Sequence, residues 1–102
     1  MTKTDVEFHP EAREEYLQAL QWYLERSERI ARRLQQELIQ AVDLIAEEAE
    51  QWPRFEGEIR FLRLRRFPFV LYFEPAREDQ LFILAVAHQS RRPGYWRYRR
   101  EE

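Results

Sequence analysis

The chain has 102 residues, of which 44% are hydrophobic and 35% charged, and it contains no cysteine. This length suits one compact domain over residues 1–102, and the lack of cysteine excludes disulfides and thiolate metal sites and favours a reducing, cytoplasmic compartment. The net charge of −2 is unevenly distributed, because the first 53 residues carry six Lys/Arg and twelve Asp/Glu, whereas the remaining 49 carry eleven and seven.

The sequence shows no pattern that would bind a cofactor, a metal or a membrane. Its two histidines are far apart, and it has no glycine-rich phosphate loop and no serine nucleophile motif. No apolar run approaches the roughly 20 residues that span a bilayer, and the N-terminus lacks the apolar core of a signal peptide. We therefore expect no cofactor, no metal and no membrane contact.

The first half of the chain predicts a short strand followed by a helical hairpin. Apolar and acidic residues alternate from Thr4 to Phe8, which is typical of a strand. Apolar residues then recur every three or four positions in two segments, which predicts helices from about Pro10 to Arg26 and from Ser27, as N-cap, to about Gln51. Because almost nothing links them, the helices should pack antiparallel. Three early carboxylates are interpreted as favourable charges at the helix start: Glu11, Glu14 and Glu15.

The second half predicts a meander of strands. A strand rich in arginine is expected within Gly57–Arg66, a continuous apolar strand at Phe69–Phe73, and another at Leu81–Ala87, with Glu74–Gln80 as a polar loop. Strands that follow in order with short connections pair antiparallel. The predicted class is α+β in the order β-α-α-β-β-β, with the helical hairpin on one face of a mostly antiparallel sheet and a short helical or irregular tail. The first strand would take an edge or middle position.

The run from Leu84 to Arg100 carries most of the candidate site. It reads LAVAHQSRRPGYWRYRR, so a buried strand leads into a histidine and then into arginines interleaved with aromatic rings. Guanidinium groups beside flat rings suit a nucleic acid, and they equally suit an acidic protein segment.

Each candidate has two interpretations. His88 can act as a general acid or base, since imidazole exchanges protons near neutral pH, or it can cap the strand end by bonding to neighbouring backbone. Arg91 and Arg92 can clamp a phosphate or carboxylate and stabilise charge during RNA cleavage, or they can anchor the tail to acidic side chains.

The aromatic residues of the tail and the arginines within Gly57–Arg66 also have two interpretations each. Tyr95, Trp96 and Tyr98 can stack on bases, but we expect Trp96 to complete the core and Tyr95, after the Pro-Gly turn, to be more exposed. The arginines of the second predicted strand, within Gly57–Arg66, either are solvated and paired with the acidic helices or line a surface beside the last strand. The catalytic candidates are His88, Arg91 and Tyr95. The candidates for binding a target or nucleic acid are Arg63, Arg65, Arg91 and Arg92.

Four stretches together resemble the toxins of the RelE/ParE superfamily of type II toxin–antitoxin modules. They are VEFHPEAREEY (6–16), AVDLIAEEAEQWP (41–53), RFPFVLYF (66–73) and ILAVAHQSRRPGYWRYR (83–99). The likeness covers nearly the whole chain, and its most specific part is the passage from the last strand to the tail. The ending is similar to ParE-like and "plasmid stabilization" members more than to the ribosome-dependent RelE branch.

The resemblance implies a function and partners. Such a chain would inhibit growth through DNA gyrase, without catalysis, as ParE-like members do, or through mRNA on the ribosome, as RelE-like endoribonucleases do. A cognate antitoxin would neutralise it by laying an acidic or amphipathic segment across the sheet and hairpin, and the toxin would form hetero-oligomers with that antitoxin or homodimers.

A second interpretation is a non-catalytic binding domain that keeps a toxin-like fold and has lost toxic activity. The net charge of −2 favours it, and so does Phe69, which lies where RelE-like ribonucleases usually carry an arginine.

Overall fold

The computed structural model describes residues 4–101 and shows a five-stranded sheet with a helical hairpin on one face. The elements in chain order are β1 (Asp5–Phe8), α1 (Pro10–Leu24), α2 (Glu28–Glu47), β2 (Arg54–Glu56), β3 (Ile59–Arg63), β4 (Phe69–Arg77) and β5 (Gln80–His88). Short 3₁₀ turns follow α2 at Ala49–Gln51 and form the tail at Arg97–Glu101. The predicted α+β class is confirmed, whereas residues 1–3 and 102 of the predicted domain lie outside the described residues.

The two helices begin at caps that the sequence encodes. Nδ1 of His9 accepts the backbone N–H of Glu11 at 3.0 Å, and Pro10 is the first helical residue of α1. Oγ of Ser27 accepts the N–H of Ile30 at 3.2 Å, which confirms the predicted break between the helices. Both helices end a little before the predicted positions, because a turn follows α1 directly and a 3₁₀ turn replaces the last turn of α2.

The strands lie in the order β1-β5-β4-β3-β2. The neighbours from β2 to β5 pair antiparallel, as predicted for a meander, and β1 takes the edge position, parallel to β5. The short strand β2 was not predicted. Its three residues are too few to show an alternating pattern, and it forms because the turn at Gly57, with a φ of 56°, folds the chain back onto β3.

The hairpin between β4 and β5 is longer than the sequence predicts. The expected polar loop at Glu74–Gln80 is wrong, because both strands continue until Arg77 pairs with Gln80 and only two residues form the turn. Polar side chains do not prevent this pairing, since the backbone makes the ladder and the exposed end of a hairpin buries no side-chain face. At the other end of the sheet β3 stops at Arg63, three residues before the end of the predicted segment Gly57–Arg66.

Each face of the sheet has its own core. The face toward the helices buries residues from α1, α2 and three strands, among them Leu34, Ile45, Leu71, Phe73 and Ile83. The opposite face, called here the open face, is covered by the C-terminal tail. Trp96 lies there with no exposed surface and packs on Tyr72 and Phe55, with ring centroids 4.6 and 5.5 Å apart. The expected core role of Trp96 is thus confirmed.

Gly94, which starts this tail, is expected to be sensitive to substitution. Its φ is 86°, and a Cβ at this position would lie 2.1 Å from Nη1 of Arg97, whose guanidinium is paired with Glu56. Gly94→Ala should lower the free energy of unfolding by about 1–2 kcal/mol, mainly through the left-handed backbone. Urea unfolding measures this change.

Gly57→Ala is the matched control, because Gly57 also has a positive φ but a Cβ there would meet no atom within 4 Å. It should be less destabilising than Gly94→Ala. Equal effects of the two substitutions would show that the crowding at Arg97 contributes nothing.

Candidate functional site

Three strands bring predicted site residues to one end of the sheet. His88, the last residue of β5, pairs with Phe69, the first of β4, and Arg63, the last of β3, pairs with Val70. The turn after β5 stays at this end, because the N–H of Gln89 donates to the carbonyl of Pro68 at 2.8 Å. Five arginines surround this end of the sheet and are called here the arginine rim: Arg63, Arg65, Arg66, Arg91 and Arg92.

His88 makes the contacts of a capping residue. Its Nδ1 accepts the backbone N–H of Ser90 at 3.1 Å and lies 2.8 Å from the hydroxyl oxygen of the same residue. Its ring packs edge-on against Phe69, and its carbonyl accepts the N–H of Arg91 at 2.9 Å. Since Nδ1 is engaged, Nε2 is the ring nitrogen of this exposed residue that remains for a partner.

Tyr95 is partly buried rather than exposed. The guanidinium group of Arg91 makes a cation–π contact with its ring, and the guanidinium carbon lies 3.9 Å from the ring centroid. Its hydroxyl points the other way and donates a hydrogen bond to Oε2 of Glu15 on α1. Burial and this hydrogen bond raise the pKa of Tyr95 well above its usual range.

Arg63 and the two arginines that follow β3 do not lie on the same side of the sheet. Arg63 lies on the open face, 5.6 Å from the ring of Phe61. Because the strand ends at Arg63, the chain turns toward the helices, and the backbone N–H groups of Arg65 and Arg66 donate to Glu37 of α2. At this end of the sheet, Arg63 therefore lies on the open face, and Arg65 and Arg66 lie on the side of the helices.

The rim differs in charge pairing from the tail that follows it. In the tail, Arg97 pairs with Glu56, Arg99 with Glu15, and Arg100 with Glu74, at 2.7, 2.9 and 2.9 Å. None of the five rim side chains has a carboxylate partner among the side chains that the structure describes. The rim is thus a group of cations that the described fold leaves unneutralised.

Glu15, which the sequence did not single out as a site residue, lies at the centre of a partly buried cluster. Its Oε1 accepts the backbone N–H of Val86 at 3.0 Å and Nη1 of Arg99 at 2.9 Å, and its Oε2 accepts Nη2 of Arg99 at 3.0 Å and the hydroxyl of Tyr95. Arg99 also donates to the carbonyl of Leu84 at 2.9 Å. These three side chains, Glu15, Tyr95 and Arg99, are called here the Glu15 cluster.

The interpretation of Glu15 as a helix-start charge is therefore wrong. A signal was present in the sequence, because Glu15 lies three residues after Ala12 and four before Ala19, on the inward stripe of α1. Its partner, however, is 84 residues away, and no local pattern connects the two.

Two other kinds of site have no support in the described part of the chain. Residues 4–101 contain no group of three His, Asp or Glu side chains that could hold a metal ion. No helix within this range is long and apolar enough to cross a bilayer.

Comparisons with known proteins agree with the fold and with the resemblance seen in the sequence. Among solved structures, the chromosomal ParDE TA system from P. aeruginosa matches with a TM-score of 0.71 and 19% identity, over 84% of this chain and 96% of that chain, which shows a shared fold. No curated protein sequence matches the chain significantly. The family model described as "ParE toxin of type II toxin-antitoxin system, parDE" matches residues 6–93. Because this match spans most of the sequence, the chain belongs to the ParE toxin family of type II toxin–antitoxin systems.

Proposed function

We propose that the chain is the toxin of a toxin–antitoxin pair and that it inhibits growth by binding DNA gyrase in the cytoplasm. Membership of the ParE family motivates the choice of target. The observation that carries the choice of surface is the arginine rim, whose five guanidinium groups have no carboxylate partner in the described fold. Unpaired guanidinium groups bind carboxylates and phosphates through two parallel hydrogen bonds, and a gyrase–DNA complex presents both.

The geometry favours inhibition by binding over RNA cleavage. Cleavage by 2′-hydroxyl attack needs a side chain that removes a proton and another that donates one. The hydroxyl of Tyr95 donates to Glu15 and does not face a substrate. Because Nδ1 of His88 accepts the N–H of Ser90, the neutral ring carries its proton on Nε2, so His88 cannot remove a proton from a substrate. We therefore propose that His88, Arg91 and Arg92 contact the target and that they do no proton transfer.

A cognate antitoxin is the second proposed partner. The structural relative is described as a toxin–antitoxin system, and the helical hairpin of this chain exposes apolar side chains that an amphipathic segment can cover. These side chains are 43–56% exposed: Leu17, Leu24, Ile39 and Leu44. Acidic residues in the same antitoxin would neutralise the arginine rim, so that antitoxin and target compete for it.

The test of this function begins with growth. Induction of the chain alone in bacteria should stop growth, and co-expression of the adjacent small gene product should restore it. The purified chain should then inhibit supercoiling by gyrase and leave mRNA intact in a translation extract. Cleaved mRNA with unaffected gyrase would establish the RelE-like alternative, and no effect in any of these assays would establish the inactive binding domain.

The rim itself is tested by Arg91→Ala combined with Arg92→Ala. One charge-assisted hydrogen bond contributes about 1.5–3 kcal/mol, so this double variant should need about ten- to hundredfold more protein for half-inhibition of gyrase. The matched control is Arg54→Ala with Arg77→Ala, which removes the same charge from two exposed arginines at the opposite end of the sheet. If both double variants lose inhibition equally, overall charge and not the rim is responsible.

A further inference from the structure

The Glu15 cluster completes an edge of the sheet that no strand covers. β1 pairs with β5 only as far as Ile83, whose carbonyl accepts the N–H of His9 as the chain turns into α1. Beyond this point the outer edge of β5 exposes the carbonyl of Leu84 and the N–H of Val86. Arg99 donates to the first at 2.9 Å and Glu15 accepts from the second at 3.0 Å. Side chains from α1 and the tail thus occupy the position of a neighbouring strand.

The same cluster extends to the surface through Tyr95. One end of this tyrosine is fixed by the hydrogen bond to Glu15, and the guanidinium carbon of the buried Arg99 lies 5.4 Å from its ring. The guanidinium carbon of Arg91 lies closer, 3.9 Å from the centroid of the same ring. Of the two guanidinium groups near this ring, only that of Arg91 is exposed and lacks a carboxylate partner in the described fold.

We propose that Glu15 and Tyr95 are positioning residues, which hold the guanidinium group of Arg91 in place for an anionic group of the target. The proposal rests on the proposed function of the arginine rim. Arginine is flexible, so holding it in its bound position before the target arrives reduces the conformational entropy lost on binding. Tyr95 acts through the face of its ring, and its hydroxyl serves to fix that ring and not to react.

Of the three residues of the Glu15 cluster, only Glu15 lies within the residues that the family model matches. The family match ends at residue 93, so Tyr95 and Arg99 lie beyond it. The assignment therefore depends on contacts in this chain, namely the hydrogen bonds of Glu15 and the stacking of Arg91.

The experiment compares four variants of the full chain in the gyrase supercoiling assay. They are Tyr95→Leu, which removes the ring; Tyr95→Phe, which keeps the ring and removes its bond to Glu15; Arg91→Ala; and Tyr95→Leu combined with Arg91→Ala. A cation–π contact at an exposed site corresponds to about two- to fivefold in affinity, so Tyr95→Leu should weaken inhibition by about that factor. Adding Tyr95→Leu to Arg91→Ala should weaken it no further.

The control is Tyr98→Phe, which removes the hydroxyl that a second tyrosine of the tail donates to Glu11 at 2.6 Å. It should leave inhibition unchanged. Independent and additive losses from Tyr95→Leu and Arg91→Ala would overturn the proposal, because Tyr95 would then act by supporting the fold in general. If Arg91→Ala has no effect on inhibition, the rim is not the target surface and both the proposed site and this inference fail. A loss with Arg91→Ala but none with Tyr95→Leu removes the inference alone.

A second readout does not depend on activity. In the wild-type chain, ¹⁵N relaxation of the Arg91 side-chain Nε should report an ordered group. The order parameter should fall in Tyr95→Leu and, to a smaller extent, in Tyr95→Phe, but not in Tyr98→Phe. An Arg91 side chain that is equally mobile in all four proteins would overturn the proposal, even if each variant is fully folded by circular dichroism.

Discussion

Replacing Trp96 with alanine is expected to lower the free energy of unfolding by about 3–5 kcal/mol. The indole has no exposed surface and packs on Tyr72 and Phe55 over the open face of the sheet. Removing it leaves a cavity and weakens the attachment of the tail, which supplies Tyr95 and Arg99 to the Glu15 cluster. Domains of this size are stable by roughly 5–15 kcal/mol, so the variant would lose a large share of its stability.

Urea denaturation followed by circular dichroism measures this loss. Trp22→Ala is the control, since Trp22 is 51% exposed on α1 and contacts Arg26 by a cation–π interaction. It should cost less than about 1 kcal/mol. Trp96→Phe should be milder than Trp96→Ala, because Nε1 of Trp96 has no hydrogen-bond partner among the described residues and phenylalanine removes that donor. A loss below about 1 kcal/mol for Trp96→Ala would show that the tail is not part of the core on the open face.

The elements that the sequence predicted well are those whose pattern is local. The two helices follow from apolar spacing and from the cap at Ser27, and the inner parts of β4 and β5 follow from continuous apolar runs. The parts that were missed depend on partners elsewhere in the chain. β2 exists because β3 lies beside it, and the end of β4 continues through polar residues because β5 supplies the backbone partners.

For the candidate site too, the features that follow from local pattern were predictable, and those that depend on distant partners were not. The order of the strands was enough to place Arg63 at the same end of the sheet as His88, since antiparallel neighbours bring the end of one strand to the start of the next. The role of Tyr95 was not predictable, because the direction of its hydroxyl is set by Glu15, 80 residues earlier. A buried carboxylate on the inward stripe of a helix is a signal for a distant cation, but the sequence alone does not say which one.

The second large effect is expected from Arg99→Met, which keeps the bulk of the side chain and removes its charge. Arg99 is 4% exposed and Glu15 is 18% exposed, so the variant leaves Glu15 as a poorly solvated carboxylate without its cation. Breaking such a pair by removing one partner costs about 3–5 kcal/mol. Burial acts to lower the pKa of Arg99, but the hydrogen bonds to Glu15 and the charge of that carboxylate raise it above its ordinary value, so the group stays charged in the fold. Arg32→Met is the control, because Arg32 and its partner Glu28 on α2 are 70% and 71% exposed, so that its loss should cost about 0–1 kcal/mol.

The double variant Glu15→Leu with Arg99→Met tests whether the ion pair stabilises the uncovered edge of β5 or only neutralises its own two charges. Replacing both members of a buried ion pair with apolar residues is often neutral or stabilising, because no charge is left without a partner. Here the carbonyl of Leu84 and the N–H of Val86 would also lose their partners, at roughly 1–3 kcal/mol for each buried group. The double variant should therefore remain destabilised, and hydrogen exchange at the amide of Val86 should become faster. A double variant as stable as the wild type would mean that the pair satisfies only its own charges. A loss that persists would mean that Glu15 and Arg99 act as the missing strand beside β5, on which the tail and the position of Arg91 depend.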